Sequence, residues 1–155
     1  MVTNMEKNAQ IQQLYHCRKL STDEECELFE DALQDLDGNI EMEDVNQICQ
    51  AFYDDTEDDE LMSGMIHLIE QLISEEYLKC IALCTPAMKD AHDWAMTLNK
   101  RILNSQKYFE KYVEVIDGLE QEEKEKILNL LADVKQDNPD RFGEKVDMIY
   151  EKVSQ

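Results

Sequence analysis

Apolar residues recur every three or four positions along most of this chain, the spacing that places them on one face of an α-helix. The clearest run ends at the turn Asp37-Gly38-Asn39, and its members are Cys26, Phe29, Ala32, Leu33 and Leu36. Ser21 followed by Glu24 fits a capping box, which predicts that this helix begins at Thr22. No segment shows the strict alternation of a half-buried strand. The pattern therefore predicts an all-α fold.

Similar runs predict helices on both sides of this one. A first helix with a frayed start carries Ile11, Leu14, Tyr15 and Leu20, and a third helix carries Val45, Ile48, Cys49 and Phe52. A fourth helix is predicted to be capped at Thr56 with Asp59 and to run to about Ile73. Gly64 would permit close packing against its broad apolar face.

Serine, proline and glycine mark the later boundaries. Helices are predicted to start after Ser74, Thr85-Pro86, Ser105 and Asn138-Pro139, and to end near Asn104 and Gly118. About eight or nine helices of roughly ten to sixteen residues indicate stacked antiparallel hairpins, as a short HEAT-like α-solenoid or a helical bundle. No sequence repeat of fixed period accompanies them, so the solenoid interpretation rests on helix length.

Length and composition indicate one globular domain over residues 1–155. Four glycines and two prolines leave few points at which helices must break. The sequence has no apolar run of membrane-spanning length and no signal-peptide core at its start, so we expect a cytoplasmic protein with no membrane partner. Five cysteines stand singly at apolar positions, which predicts free thiols rather than disulfides.

Charge is strongly segregated along the sequence. Between Leu20 and Leu78 there are twenty Asp and Glu and no Lys or Arg, so this segment carries nearly all of the net charge of -21. An acidic surface formed by this segment can steer a basic partner towards the protein. Direct binding of nucleic acid needs the opposite charge. The candidate partner-binding residues lie near two predicted helix starts and are Glu27, Glu30, Asp31, Asp54, Asp55, Glu57, Asp58, Asp59 and Glu60.

Sequence patterns for catalysis and cofactor binding are missing. There is no GxSxG elbow, P-loop or GxGxxG segment. Two acidic stretches, Asp35–Glu41 and Asp54–Glu60, fail the calcium-loop pattern because neither has glycine at the sixth position. The first is better explained as a turn that ends a helix. We therefore predict a protein that is not an enzyme and that needs no cofactor or metal.

Two pairs of potential ligands share a helical face. His67 and Glu70 could hold a metal or act as an acid–base pair, but their apolar neighbours favour a partly buried, structural histidine. Cys80 and Cys84 cannot complete a zinc site without ligands from elsewhere, so core packing is the simpler interpretation.

Short motifs in the middle of the chain follow one another in a recognisable order. They are Ile48-Cys49-Gln50-Ala51-Phe52, Asp55-Thr56, Glu60-Leu61-Met62, Gly64 to Glu70, Glu76-Tyr77-Leu78, Asp93-Trp94-Ala95 and Arg101-Ile102-Leu103-Asn104. This order resembles the bacterial polymorphic-toxin immunity protein 30 family over about Asp31 to Val115, which leaves additional C-terminal helices at 119–155 outside the resemblance. The resemblance implies a helical protein, encoded beside a secreted or contact-delivered toxin, that binds and neutralises this toxin inside the producing cell and its siblings.

Charge and resemblance together predict the partner. We expect an immunity protein of a polymorphic-toxin or contact-dependent inhibition system, whose acidic surface blocks a basic face of the C-terminal domain of its cognate toxin. The active site of a nuclease would be such a face, and exposed apolar or aromatic residues would anchor the contact. A helical adaptor that inhibits nothing is the alternative, and a metal-dependent enzyme built around His67 and Glu70 is a third hypothesis.

Overall fold

The computed structural model describes residues 3–153, which form helices and turns with no β-strand among them. This confirms the all-α prediction, whereas the HEAT-like arrangement and the single domain stay predictions. The chain divides into two compact units, of which unit 1 ends at Ile73 and unit 2 begins at Ser74. No helix within the described residues is both long enough and apolar enough to cross a membrane.

Unit 1 is built from short and medium helices around an apolar core. Its helices are α1 (Asn4–His16), α2 (Asp23–Leu36), a 3-10 turn (Met42–Asp44), α3 (Val45–Cys49), α4 (Asp59–Met62) and α5 (Gly64–Glu70). α1 packs against α2, and both α2 and α3 contact α5. The fully buried side chains between them include Leu14, Phe29, Leu36, Ile48 and Met65.

The first helix differs from its prediction at both ends. Thr3 and Glu6 form a reciprocal capping box, so the start of α1 is fixed rather than frayed. Leu20 lies beyond the end of the helix in a left-handed conformation with φ 52, although its side chain is buried. Burial of this leucine therefore holds the chain in a turn that the helical spacing of the sequence does not reveal.

The second helix starts one residue later than predicted. The Glu25 amide donates to Thr22 Oγ1 at 3.1 Å, so Thr22 is the cap and the predicted pair of Ser21 and Glu24 is wrong. Ser21 instead donates its amide and its hydroxyl to Glu25 Oε1, at 3.0 and 2.7 Å. At the other end, Gly38 adopts φ +76, which confirms the predicted helix-ending turn.

The predicted fourth helix is two helices separated at Ser63-Gly64. The Ser63 hydroxyl donates to the Glu60 carbonyl oxygen at 2.6 Å, and a Ser–Gly pair is a common point for a helix to bend. Asp58, not Thr56, caps α4, because its carboxylate accepts from the Leu61 amide at 3.0 Å. The predicted cap was therefore wrong by two residues.

A buried ion pair joins α1 to the turn before α3. Lys7 Nζ lies 2.9 Å from Asp44 Oδ2, and the two side chains are 6% and 7% exposed. Asp44 Oδ2 also accepts from the Glu41 amide at 2.8 Å. The hydrogen bond to Asp44 raises the pKa of Lys7 above its ordinary value, against the opposing effect of burial. The ammonium group therefore stays charged inside unit 1.

Unit 2 has longer helices, and most of its predicted boundaries are confirmed. Its helices are α6 (Glu75–Cys84), a 3-10 turn (Thr85–Ala87), α7 (His92–Leu103), α8 (Phe109–Asp117), α9 (Gln121–Asp137) and α10 (Pro139–Val153). α9 packs against α10 and α7, and α6 packs against α8. The side chains of Ser74 and Asn138 accept the expected capping hydrogen bonds, and Gly118 follows the end of α8. Ser105 accepts from the Tyr108 amide in a turn, and α8 begins only at Phe109 with Tyr108 as its cap, so the start predicted after Ser105 is three residues early.

A polar network lies in the interior of unit 2. Asn99 is fully buried and its Nδ2 donates to Thr85 Oγ1 at 3.1 Å and to the Ala95 carbonyl oxygen at 2.9 Å. Tyr112 donates its hydroxyl to Asn99 Oδ1. Burial raises the pKa of Tyr112 well above its ordinary value, so this hydroxyl remains a donor.

Candidate partner-binding surface

Unit 1 holds most of the net negative charge of the chain. Residues 1–73 contain nineteen Asp and Glu and three Lys and Arg, whereas residues 74–155 contain seventeen and twelve. Of the three cations in unit 1, Lys7 is buried against Asp44 and Arg18 is half-buried between two tyrosines. Carboxylates therefore dominate the surface of unit 1.

The nine candidate carboxylates differ in how freely they can reach a partner. Asp54 and Asp58 are half-buried, and Asp58 is engaged as the cap of α4. The other seven are exposed, namely Glu27, Glu30, Asp31, Asp55, Glu57, Asp59 and Glu60. These seven form the part of the predicted set that is open to solvent, and we call them the exposed carboxylates of unit 1.

The segment from Asp54 to Glu60 is held against the connection between α1 and α2. The Glu57 amide donates to the Lys19 carbonyl oxygen at 2.9 Å, and Thr56 Oγ1 donates to the same oxygen at 3.4 Å. Burial raises the pKa of the Cys26 thiol on α2, and negative charge on Asp58 adds to the rise. This segment and the first part of α2 are therefore neighbours in unit 1.

A groove of about 350 Å³ runs between α2 on one side and α4 with α5 on the other. Glu30 of α2 and Glu60 of α4 both line it, so the structure brings one member of each predicted cluster to the same cavity. Leu33, Leu61 and Leu68 contribute apolar lining. We call this cavity the α2–α5 groove.

Side-chain contacts fix the width of the α2–α5 groove. Gln71 donates its amide to Asp37 and accepts from the Gly38 amide at 3.2 Å, which ties the end of α5 to the end of α2. A Cβ added to Gly64 would lie 2.9 Å from Leu33 Cδ1. This confirms that glycine permits close packing at this position.

An aromatic and cationic stack lies in the same unit. The Arg18 guanidinium carbon is 4.3 Å from the ring centroid of Tyr15 and 4.6 Å from that of Tyr53. Arg18 also donates to the Gln50 carbonyl oxygen at 3.5 Å, and Tyr15 is 41% exposed. Tyr15 and Arg18 are three positions apart at the end of α1, so the sequence alone could suggest their contact. Tyr53 comes from a distant segment, which the sequence could not pair with Arg18.

The remaining potential ligands do not assemble into a metal centre. Within residues 3–153, no group of three or more His, Cys, Asp and Glu side chains is arranged to hold a metal ion. His67 is exposed and lines the α2–α5 groove, so the prediction that it is partly buried is wrong. The reason is that Ile66 and Ile69 point to the core, and the histidine between them falls on the opposite face of α5.

All five cysteines are free thiols, of which Cys17, Cys49 and Cys84 are buried and Cys26 and Cys80 are half-buried. Hydrogen bonding to Cys84, together with burial, raises the pKa of Cys80 far above its ordinary value. A thiol that resists ionisation is a poor nucleophile and a poor metal ligand.

A helical unit with an acidic surface and a groove with apolar lining is suited to binding a positively charged protein. The family model described as Immunity protein 30 matches residues 16–112. Because the match covers more than half of the chain, this protein belongs to the Immunity protein 30 family, as the resemblance indicated.

The matched residues contain all nine candidate carboxylates and the whole α2–α5 groove. Helices α9 and α10 lie beyond the match. No curated protein and no solved structure shows significant similarity to the chain.

Proposed function

We propose that this immunity protein neutralises a cognate toxin by covering a positively charged surface of the toxin domain with the exposed carboxylates of unit 1. Its action is binding, without catalysis and without a cofactor, in the cytoplasm where the toxin would act. A nuclease domain fits as the partner, because its active site must attract phosphate and is rich in cations. The family supplies the role, and the charge distribution supports the mechanism.

The observation that carries the proposal is the difference in net charge between the two units. Residues 1–73 have a formal charge of -16, against -5 for residues 74–155. A concentrated field of one sign raises the association rate with an oppositely charged protein by about 10 to 1000-fold at low salt. A toxin must be captured quickly, so a fast association rate is the property that such a surface would provide.

The carboxylates are also presented on a fixed backbone. Hydrogen bonds from Thr56 and Glu57 to Lys19 anchor the acidic segment, and Asp58 caps the helix that follows. A surface that is ordered before binding loses less conformational entropy on association. This supports a contact of high affinity as well as a fast one.

The test is a charge reversal that spares the carboxylates with structural roles. Asp55→Lys, Glu57→Lys and Asp59→Lys in one variant should abolish protection of cells that express the toxin domain encoded beside this gene. The association rate should fall by about 10 to 100-fold at low salt, because attraction becomes repulsion.

Three exposed carboxylates of unit 2 provide the matched control. Glu110→Lys, Glu144→Lys and Glu151→Lys change the net charge by the same amount, and all three residues are exposed. This variant should retain protection, and both variants should keep the helical circular dichroism spectrum. Equal protection by the two variants would contradict the proposal, and a toxin domain that is bound but stays active would favour the adaptor.

A further inference from the structure

We propose that the α2–α5 groove receives a segment of the toxin in which a lysine or arginine stands beside an apolar side chain. This inference rests on the proposed function and identifies the part of unit 1 that forms the centre of the contact. It distinguishes a defined docking groove from an acidic surface that acts through its overall charge.

The carboxylates that line the groove indicate the charge of the occupant. Glu30 and Glu60 line the groove and are exposed to solvent. Asp37, which also lines the groove, already accepts from Gln71. No lysine or arginine is among the described residues that line the groove. A cationic side chain in the groove would form charge-assisted hydrogen bonds with these carboxylates.

The leucines indicate the rest of the occupant. Leu33 and Leu61 remain half-buried, and Leu68 is buried but lines the groove as well. Contact with an apolar side chain, or with the methylene stem of a lysine or arginine, would remove the remaining leucine surface from water. A free cation would leave it exposed, so a peptide segment fits this lining better.

The size and the rigidity of the groove agree with this occupant. Its volume of about 350 Å³ falls in the range of about 300 to 1000 Å³ that holds several groups of a ligand. Gln71 ties α5 to α2, and Gly64 lets α5 approach Leu33 closely. A groove that exists before binding can select a segment by shape as well as by charge.

A neutral substitution tests the shape of the groove without changing its charge. Gln34 and Gln47 are both exposed glutamines of unit 1, but Gln34 lines the groove and Gln47 does not. Gln34→Trp should fill the groove and weaken binding of the co-encoded toxin domain by at least about tenfold, whereas Gln47→Trp should change it by less than about twofold.

A paired charge reversal tests the role of the two carboxylates. Glu30→Lys with Glu60→Lys reverses two charges in the groove. Glu27→Lys with Glu57→Lys reverses two charges at exposed positions outside it. Raising the salt concentration from about 0.15 M to about 1 M shortens the screening length from about 8 to 3 Å. The loss caused by the control pair should fade at high salt, and the loss caused by the groove pair should persist because that contact excludes water.

The outcomes separate this inference from the function on which it rests. If the groove variants bind the toxin domain as well as their controls do, and the triple variant of unit 1 still fails to protect, the groove inference is overturned and the proposed function stands. If the wild-type chain does not bind the toxin domain, both are overturned. Circular dichroism of each variant excludes unfolding as the cause of a loss.

Discussion

Asp44→Ala should lower the free energy of unfolding by about 3–5 kcal/mol, because it leaves the Lys7 ammonium buried without its partner. Lys7 and Asp44 are each less than one tenth exposed, and their charged atoms are 2.9 Å apart. The substitution also removes the acceptor of the Glu41 amide. Urea unfolding followed by circular dichroism measures the effect as a shift of the midpoint at constant slope.

Two further variants show whether the loss of stability comes from the unpaired buried charge or from the loss of an ion pair as such. Lys7→Met combined with Asp44→Leu removes both charges and should recover most of the lost stability, since an apolar pair avoids the cost of an unpaired buried ion. Glu122→Ala breaks the exposed pair with Lys126, whose charged atoms are 3.9 Å apart, and should change stability by less than about 0.5 kcal/mol. A small loss for Asp44→Ala would show that water reaches Lys7.

The same ion pair gives a dependence on pH. The hydrogen bond to Asp44 raises the pKa of Lys7 above the 10.5 of the unfolded chain. Its stabilisation is therefore fully present below pH 10.5 and is lost as the pH rises through the higher folded value. Above pH 10.5 the wild-type chain should lose stability more steeply than the variant with Lys7→Met and Asp44→Leu.

Asn99→Leu should lower the free energy of unfolding by about 1–3 kcal/mol, because it strands the buried Tyr112 hydroxyl without an acceptor. The side chains of Asn99 and Tyr112 are fully buried, and Tyr112 stays protonated because burial raises its pKa. Thr85 loses one donor but keeps its own hydrogen bond to the Ile81 carbonyl oxygen at 2.6 Å. Thermal or urea unfolding followed by circular dichroism measures the loss of unfolding free energy.

A double-mutant cycle identifies the stranded hydroxyl as the cause. Tyr112→Phe added to Asn99→Leu removes the unsatisfied group, so the double variant should be more stable than Asn99→Leu alone by at least about 1 kcal/mol. If the double variant is instead less stable than the single one, the hydroxyl has found another partner. The loss of stability in Asn99→Leu would then not come from a stranded hydroxyl.

Local signals in the sequence were enough to place most of unit 2. Ser74 and Asn138 each cap a helix as predicted. Ser105 lies in the turn before α8, whose cap is Tyr108. In unit 1 the cap of α2 was predicted wrongly, because two candidate caps are adjacent there. Ser21 and Thr22 both precede acidic residues, and only the fold decides which one the Glu25 amide reaches.

For the candidate surface too, the sequence predicted local features but not contacts between distant residues. The sequence located the carboxylates, because charge is a property of composition. It did not reveal the α2–α5 groove, whose wall depends on a contact between Asp37 and Gln71, 34 positions apart. The pairing of Lys7 with Asp44 and the stacking of Tyr53 on Arg18 are also long-range contacts. Helical periodicity predicts which face of a helix is buried, but not which distant helix covers it.

The exposed carboxylates of unit 1 are the proposed contact with the toxin domain. Carbodiimide labelling of carboxylates, read by mass spectrometry with and without the cognate toxin domain, locates this contact. Asp55, Glu57 and Asp59 should lose reactivity in the complex, whereas Glu110 and the other exposed carboxylates of unit 2 should keep theirs. Loss of reactivity in unit 2 with no change at Asp55, Glu57 and Asp59 would show that the toxin domain binds elsewhere.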